Sequence, residues 1–71
     1  MRTQSKQFIL NGETYTTDQN LTLFDLLTYF NYNDSLLVLE YNSFVCHKNK
    51  WTTTFLKHSD KIEIVSIVGG G

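Results

Sequence analysis

Gln7-Phe8-Ile9-Leu10-Asn11-Gly12-Glu13-Thr14-Tyr15-Thr16-Thr17 is the stretch whose reading decides the fold of this chain. Asn-Gly between two β-type runs is the strongest short hairpin signal, because both central residues of a tight hairpin turn sit at positive φ. Gln7 to Leu10 makes a short apolar strand, and the threonine-rich run from Glu13 to Thr17 makes its return. The chain therefore opens on a β-hairpin.

Asp18-Gln19-Asn20 is polar punctuation. Leu23, Leu26, Leu27 and Phe30 then recur at the i, i+3, i+4, i+7 positions of one helix face. Thr22 is placed to cap that helix, and Asp25 to favour its N-terminus. Asn31 to Ser35 ends it. Leu36 to Tyr41 reads as a strand, Asn42-Ser43 as a turn and Phe44-Val45-Cys46 as a short strand. Residues 47–60 are predicted irregular, anchored by Trp51, Phe55 and Leu56. Asp60 is a turn residue opening the last strand, Lys61 to Val68. This order predicts an α+β domain, a mixed sheet of about five strands with one main helix on one face. With the hairpin's first strand beside the last strand, the arrangement is the β-grasp, or ubiquitin-like, fold. Residues 1–68 form the domain, and Gly69, Gly70 and Gly71 form a flexible tail.

Composition narrows the function. A chain of 71 residues makes one small domain. Such a domain buries only about 60% of its unfolded surface, so an enzyme-sized cleft would take volume from a thin core. Apolar residues at 41% and charged residues at 18% describe a globular chain. A net charge of −1 argues against nucleic acid as the main partner. The single cysteine excludes an internal disulfide. The sequence offers neither a transmembrane-length apolar run nor a signal-peptide block, so no membrane partner is expected. Phe, Tyr, Asn, Ile and Lys are abundant, while alanine and proline are absent and arginine occurs once. That bias marks an AT-rich genome and places the protein in a bacterial cytoplasm or a plastid stroma.

Alternation along the strands assigns faces. The expected core is Phe8, Leu10, Tyr15, Leu23, Leu26, Leu27, Phe30, Leu37, Leu39, Tyr41, Leu56, Ile62 and Ile64. Ile9, Val38, Val65 and Ile67 then lie on the open sheet face, with Val68 next to the tail. An apolar patch beside such a tail predicts a docking surface for a protein. No catalytic constellation stands out. Cys46 and His47 are adjacent, so on a strand they point to opposite faces, a poor geometry for a metal chelate or a nucleophile–base pair. His58 is expected in a solvated loop. Neither a metal site nor a bound cofactor is expected. The tail is the feature with chemistry. Without Cβ atoms it can enter a narrow channel, and it presents an α-carboxylate that reacts only once activated.

Several blocks together resemble the ThiS family of thiamine-biosynthesis sulfur carriers. They are Leu10-Asn11-Gly12-Glu13, Thr22-Leu23 through Leu26-Leu27, and Val38-Leu39-Glu40-Tyr41-Asn42. Trp51 with Thr54 and Leu56 follows, then Asp60-Lys61-Ile62-Glu63-Ile64-Val65 and the closing Val68-Gly69-Gly70-Gly71. The resemblance covers residues 7–71. It implies that a ThiF-like adenylyltransferase, using ATP and Mg²⁺, activates the Gly71 carboxylate. Sulfur drawn from cysteine by a desulfurase then makes a thiocarboxylate, and a ThiG-like thiazole synthase consumes it. The protein would be a carried substrate and not an enzyme. Ser43 and Ser59 stand where the family often has glycine, and Ile67 where an aromatic is common. The competing readings are a molybdopterin-synthase small subunit, a ubiquitin-like protein modifier and a β-grasp interaction module with an inert tail.

Overall fold

The computed structural model describes residues 5–32 and 36–66. In chain order the elements are β1 (Lys6–Leu10), β2 (Glu13–Thr17), α1 (Leu23–Tyr29), β3 (Leu37–Tyr41), β4 (Phe44–Val45), a 3₁₀ turn (Lys48–Lys50) and β5 (Lys61–Ser66). The strands form one sheet in the order β2-β1-β5-β3-β4. β1 and β2 are antiparallel, β1 and β5 parallel, and β3 runs antiparallel to both β5 and β4. One helix packs on one face, which is the β-grasp arrangement that the hairpin and last strand predict.

The local chemistry explains each element. Asn11 and Gly12 adopt φ of 50° and 84°, the two positive values of a type I′ turn. Opposite each other across that hairpin, Phe8 and Tyr15 stack with centroids 5.7 Å apart. Tyr15 then meets the edge of Phe30 at 5.2 Å, tying the hairpin to the end of the helix. The Thr22 hydroxyl accepts from the Asp25 amide at 3.1 Å, and the Asp25 carboxylate accepts from the Thr22 amide at 3.0 Å. This reciprocal box satisfies donors that a helix start otherwise leaves unpaired. The Leu23 and Phe24 amides donate to the carbonyls of Thr54 and Trp51, so the irregular segment finishes the capping.

The buried core is Phe8, Leu10, Leu23, Leu26, Leu27, Leu39, Trp51, Leu56, Ile62 and Ile64. Four residues expected inside, Tyr15, Phe30, Leu37 and Tyr41, are only half-buried against it. Geometry gives the reason. A seven-residue helix is about 10 Å long, whereas a five-stranded sheet is about 19 Å wide. The helix leaves the sheet margins partly uncovered. Trp51, from the segment predicted irregular, fills part of that gap and is 2% exposed. Its indole N–H donates to the Cys46 carbonyl at 2.8 Å. Phe55, expected as a second anchor, is instead exposed, because the adjacent Leu56 takes the core position.

Candidate functional site

β5 is the strand that leads into the glycine tail, and the fold holds it from both sides. Its last described residue, Ser66, pairs with Leu37 of β3. On the other side the parallel ladder is short, joining Ile9 to Lys61 and Leu10 to Ile62. Asn11 lengthens it. The Asn11 amide donates to the Ile62 carbonyl at 3.0 Å, and its side-chain Oδ1 accepts from the Ile64 amide at 2.8 Å. The residue that makes the hairpin turn therefore also clamps β5 near its end. Its Nδ2 donates to the Tyr32 hydroxyl at 3.2 Å, which orients the amide.

The start of β5 is set by Asp60, which is 6% exposed. Its carboxylate accepts from the Tyr41 hydroxyl, from Asn42 Nδ2 at 3.0 Å and from the Lys57 amide at 2.7 Å. Burial of a carboxylate is costly unless its oxygens are satisfied, and three donors satisfy this one. Burial first, then the hydrogen bond to Asp60, holds the Tyr41 phenol far above its ordinary range. Tyr41 therefore keeps its proton and remains a donor. Asn42 adds a further tie, its Oδ1 accepting from the Lys61 amide at 2.8 Å.

The sheet face opposite the helix is open. Ile62 and Ile64 are buried, while Glu63 and Val65 point away from the core with Lys61. Val38 faces Val65 and Glu40 faces Glu63 across β3 and β5. Ile9 is beside Lys61, and Val45 is beside Glu40. Ile9 and Val38 are half-buried, whereas Val65 is 60% exposed and Val45 53%. The expected docking residues thus fall in two places. Val38 and Val65 are direct register partners across β3 and β5, and Ile9 is set apart by Lys61 and the glutamate row. Val45 belongs to the same face. Ile67, Val68, Gly69, Gly70 and Gly71 lie outside the described residues.

Cys46 and His47 follow β4 (Phe44–Val45) and, against the expectation of opposite strand faces, line one cavity, while His58 lies apart. Half-buried Cys46 lines an open cavity of about 440 Å³ with Leu37, Val45, His47 and Trp51. His58 is exposed, and its Nδ1 accepts from the Gln7 amide at 3.1 Å. Among the described residues no group of three or more His, Cys, Asp or Glu could hold a metal ion. No helix among them is long and apolar enough to cross a membrane.

Known proteins carry the same pattern. The sequence model of the ThiS family matches residues 8–71. A protein designated ycf40 from Trieres chinensis is 54% identical over 67 residues, covering 94% of this chain and 92% of that one. The ycf40 protein of Porphyra purpurea is 36% identical over 62 residues, covering 87% of each. The crystal structure of the thiamine biosynthesis protein ThiS from Geobacter metallireducens superposes with a TM-score of 0.78 at 25% identity. That match covers 92% of this chain and 99% of the other. A five-stranded β-grasp sheet, a capped helix and a family match running from β1 through the final glycines place this chain in the ThiS family of small sulfur-carrier proteins.

Proposed function

We propose that this chain carries sulfur for the thiazole ring of thiamine, on the carboxyl carbon of Gly71. The observation that carries the reading is the family match over residues 8–71, which takes in Gly69, Gly70 and Gly71 as well as the folded domain. An adenylyltransferase of the ThiF type would be the first partner. The Gly71 carboxylate attacks the α-phosphorus of ATP, pyrophosphate leaves, and an acyl-adenylate forms. A sulfur nucleophile supplied through a cysteine desulfurase attacks the acyl carbon and expels AMP. The resulting thiocarboxylate passes its sulfur to a ThiG-like thiazole synthase. ATP and Mg²⁺ belong to the partner's active site, and this chain is substrate rather than catalyst.

The domain's task in this scheme is recognition and delivery. Ile9, Val38, Val65, Ile67 and Val68 are the proposed docking residues, and β5 aims the tail. The clamps from Asn11 and Asn42 support that role by fixing the strand from which the tail leaves. The composition fits an organellar genome, and a plastid stroma is the proposed location. Mass spectrometry of the intact chain tests the chemistry after incubation with the adenylyltransferase, Mg-ATP and a sulfur donor. The expected product is heavier by the difference between one sulfur and one oxygen atom, and deleting Gly71 abolishes it. A covalent adduct to a lysine of another protein would instead identify a modifier. Transfer of the sulfur to a pterin and not to a thiazole would point to the molybdopterin branch.

A further inference from the structure

The open sheet face has a charged centre that its apolar residues do not explain. Glu40 and Glu63 face each other directly across β3 and β5. Like charges in that position destabilise a sheet. Among the described residues the ion pair on this face joins Lys61 Nζ to Glu63 Oε2 at 3.8 Å, both ends about half exposed. Such a pair is weak in water, and it serves Glu63 but not Glu40. The three charges leave this centre net negative. A polar dimple of about 20 Å³ lies among Glu40, Ser43, Lys61 and Glu63. Val45 borders Glu40 on the outer strand, and Val38 with Val65 forms the adjoining row toward the end of β5.

From this juxtaposition we infer that the face docks an apolar surface of the adenylating partner carrying one arginine, whose guanidinium bridges Glu40 and Glu63. The inference rests on the carrier reading above and deepens it. Planar guanidinium presents five donors in a fixed fork and can meet two carboxylates at once. Opposed residues on antiparallel strands have Cα atoms roughly 4.5–5.5 Å apart, close enough for one such group to span both. Apolar side chains flanking the arginine would cover Val38, Val45 and Val65 and exclude water, which strengthens the charged contact. The guanidinium would offset the like charges that the register sets opposite each other. Covalent geometry adds a limit. Seven residues lie between Glu63 and Gly71, so their Cα atoms can stand at most about 29 Å apart, which bounds how far the docked glutamates can lie from the partner's ATP site.

The test is ATP–pyrophosphate exchange by a purified ThiF-type adenylyltransferase, using the full chain and its Glu40→Gln, Glu63→Gln and doubly substituted forms. The double variant should raise KM for the carrier about 10–100-fold, the scale of a lost desolvated charge contact. Its kcat should stay within about twofold, because the reacting carbon is remote from the substituted residues. Added salt should raise KM for the wild-type chain and have less effect on the double variant. Thermal unfolding supplies a second readout. With the mutual repulsion gone, the double variant should melt at the same temperature or about 2–5 °C higher. Unchanged KM in a folded double variant overturns this proposal and leaves the carrier reading standing. A clear drop in melting temperature also overturns it, because the carboxylates would then be structural. No exchange with the wild-type chain overturns the carrier reading and this inference with it.

Discussion

Replacing Asn11 with glycine isolates one hydrogen bond that controls the end of β5. Asn11 sits at φ 50°, a conformation glycine adopts freely, so Asn11→Gly keeps the turn and deletes the side chain. What is lost is the acceptor for the Ile64 amide, which bonds to Asn11 Oδ1 at 2.8 Å in a partly buried position. An amide left without its partner costs about 1–2 kcal/mol. For a domain of this size each kcal/mol moves the melting temperature by about 4–8 °C, so a drop of roughly 5–15 °C is expected. Hydrogen exchange reads the same event locally. The Ile64 amide should exchange faster by about tenfold or more, while the Leu26 amide, bonded inside the helix cap to Thr22, changes only as far as global stability falls. Tyr32→Phe is the control, since it removes the 3.2 Å bond to Asn11 Nδ2 but leaves the clamp on β5. A melting temperature within about 2 °C of wild type, with unchanged Ile64 protection, would refute the reasoning and show that solvent replaces the clamp.

Three further outcomes follow from the geometry. Ser43 and Ser59 adopt φ of 76° and 73°, so glycine at either position should stabilise the fold. Left-handed backbone costs a side-chain-bearing residue about 1–2 kcal/mol, less glycine's extra entropy of about 0.5–1 kcal/mol. A net gain of about 0.5–1 kcal/mol per site should appear in thermal melts, whereas Ser43→Ala, which keeps the Cβ, should gain nothing. Thr22→Ala removes the capping box and should lower the urea midpoint by an amount worth about 1 kcal/mol, with the slope unchanged. Tyr41→Phe should alter the response to alkali. An unfolded tyrosine loses its proton near pH ~10, but the folded Tyr41 holds its proton to higher pH. Its contribution is therefore complete below the unfolded value and disappears as pH rises through the folded one. The variant should be the less stable form at neutrality, and the gap to wild type should close in strongly alkaline denaturation experiments.

The sequence revealed what depends on local pattern. Asn11-Gly12 implied the hairpin, the spacing of Leu23, Leu26, Leu27 and Phe30 implied the helix, and Thr22 with Asp25 implied its cap. Alternation in β5 separated Ile62 and Ile64 from Glu63 and Val65. What stayed hidden joins residues far apart in the chain. Asn11 reads as a turn former, and nothing in its neighbourhood announces an amide 53 positions later. Asp60 reads as a strand opener, yet its burial is made tolerable by Tyr41 and Asn42, residues brought alongside only by the sheet. Trp51 and Phe55 looked equally good as anchors. Trp51 enters the margin that a seven-residue helix leaves uncovered, whereas Phe55 stays outside because the adjacent Leu56 takes the core position. The glutamate pair was equally invisible, since Glu40 and Glu63 become neighbours through register.

The parallel pairing of β1 with β5 also has a mechanical side. Load applied to the last strand while the first is held would act along the strands, so the ladder bonds beside β5 would be sheared together instead of being peeled one by one. The Asn11 amide lies in that ladder, adding resistance near the point of pull. An enzyme that grips this chain by its last residues can therefore tug on it hard without unravelling the body it is attached to.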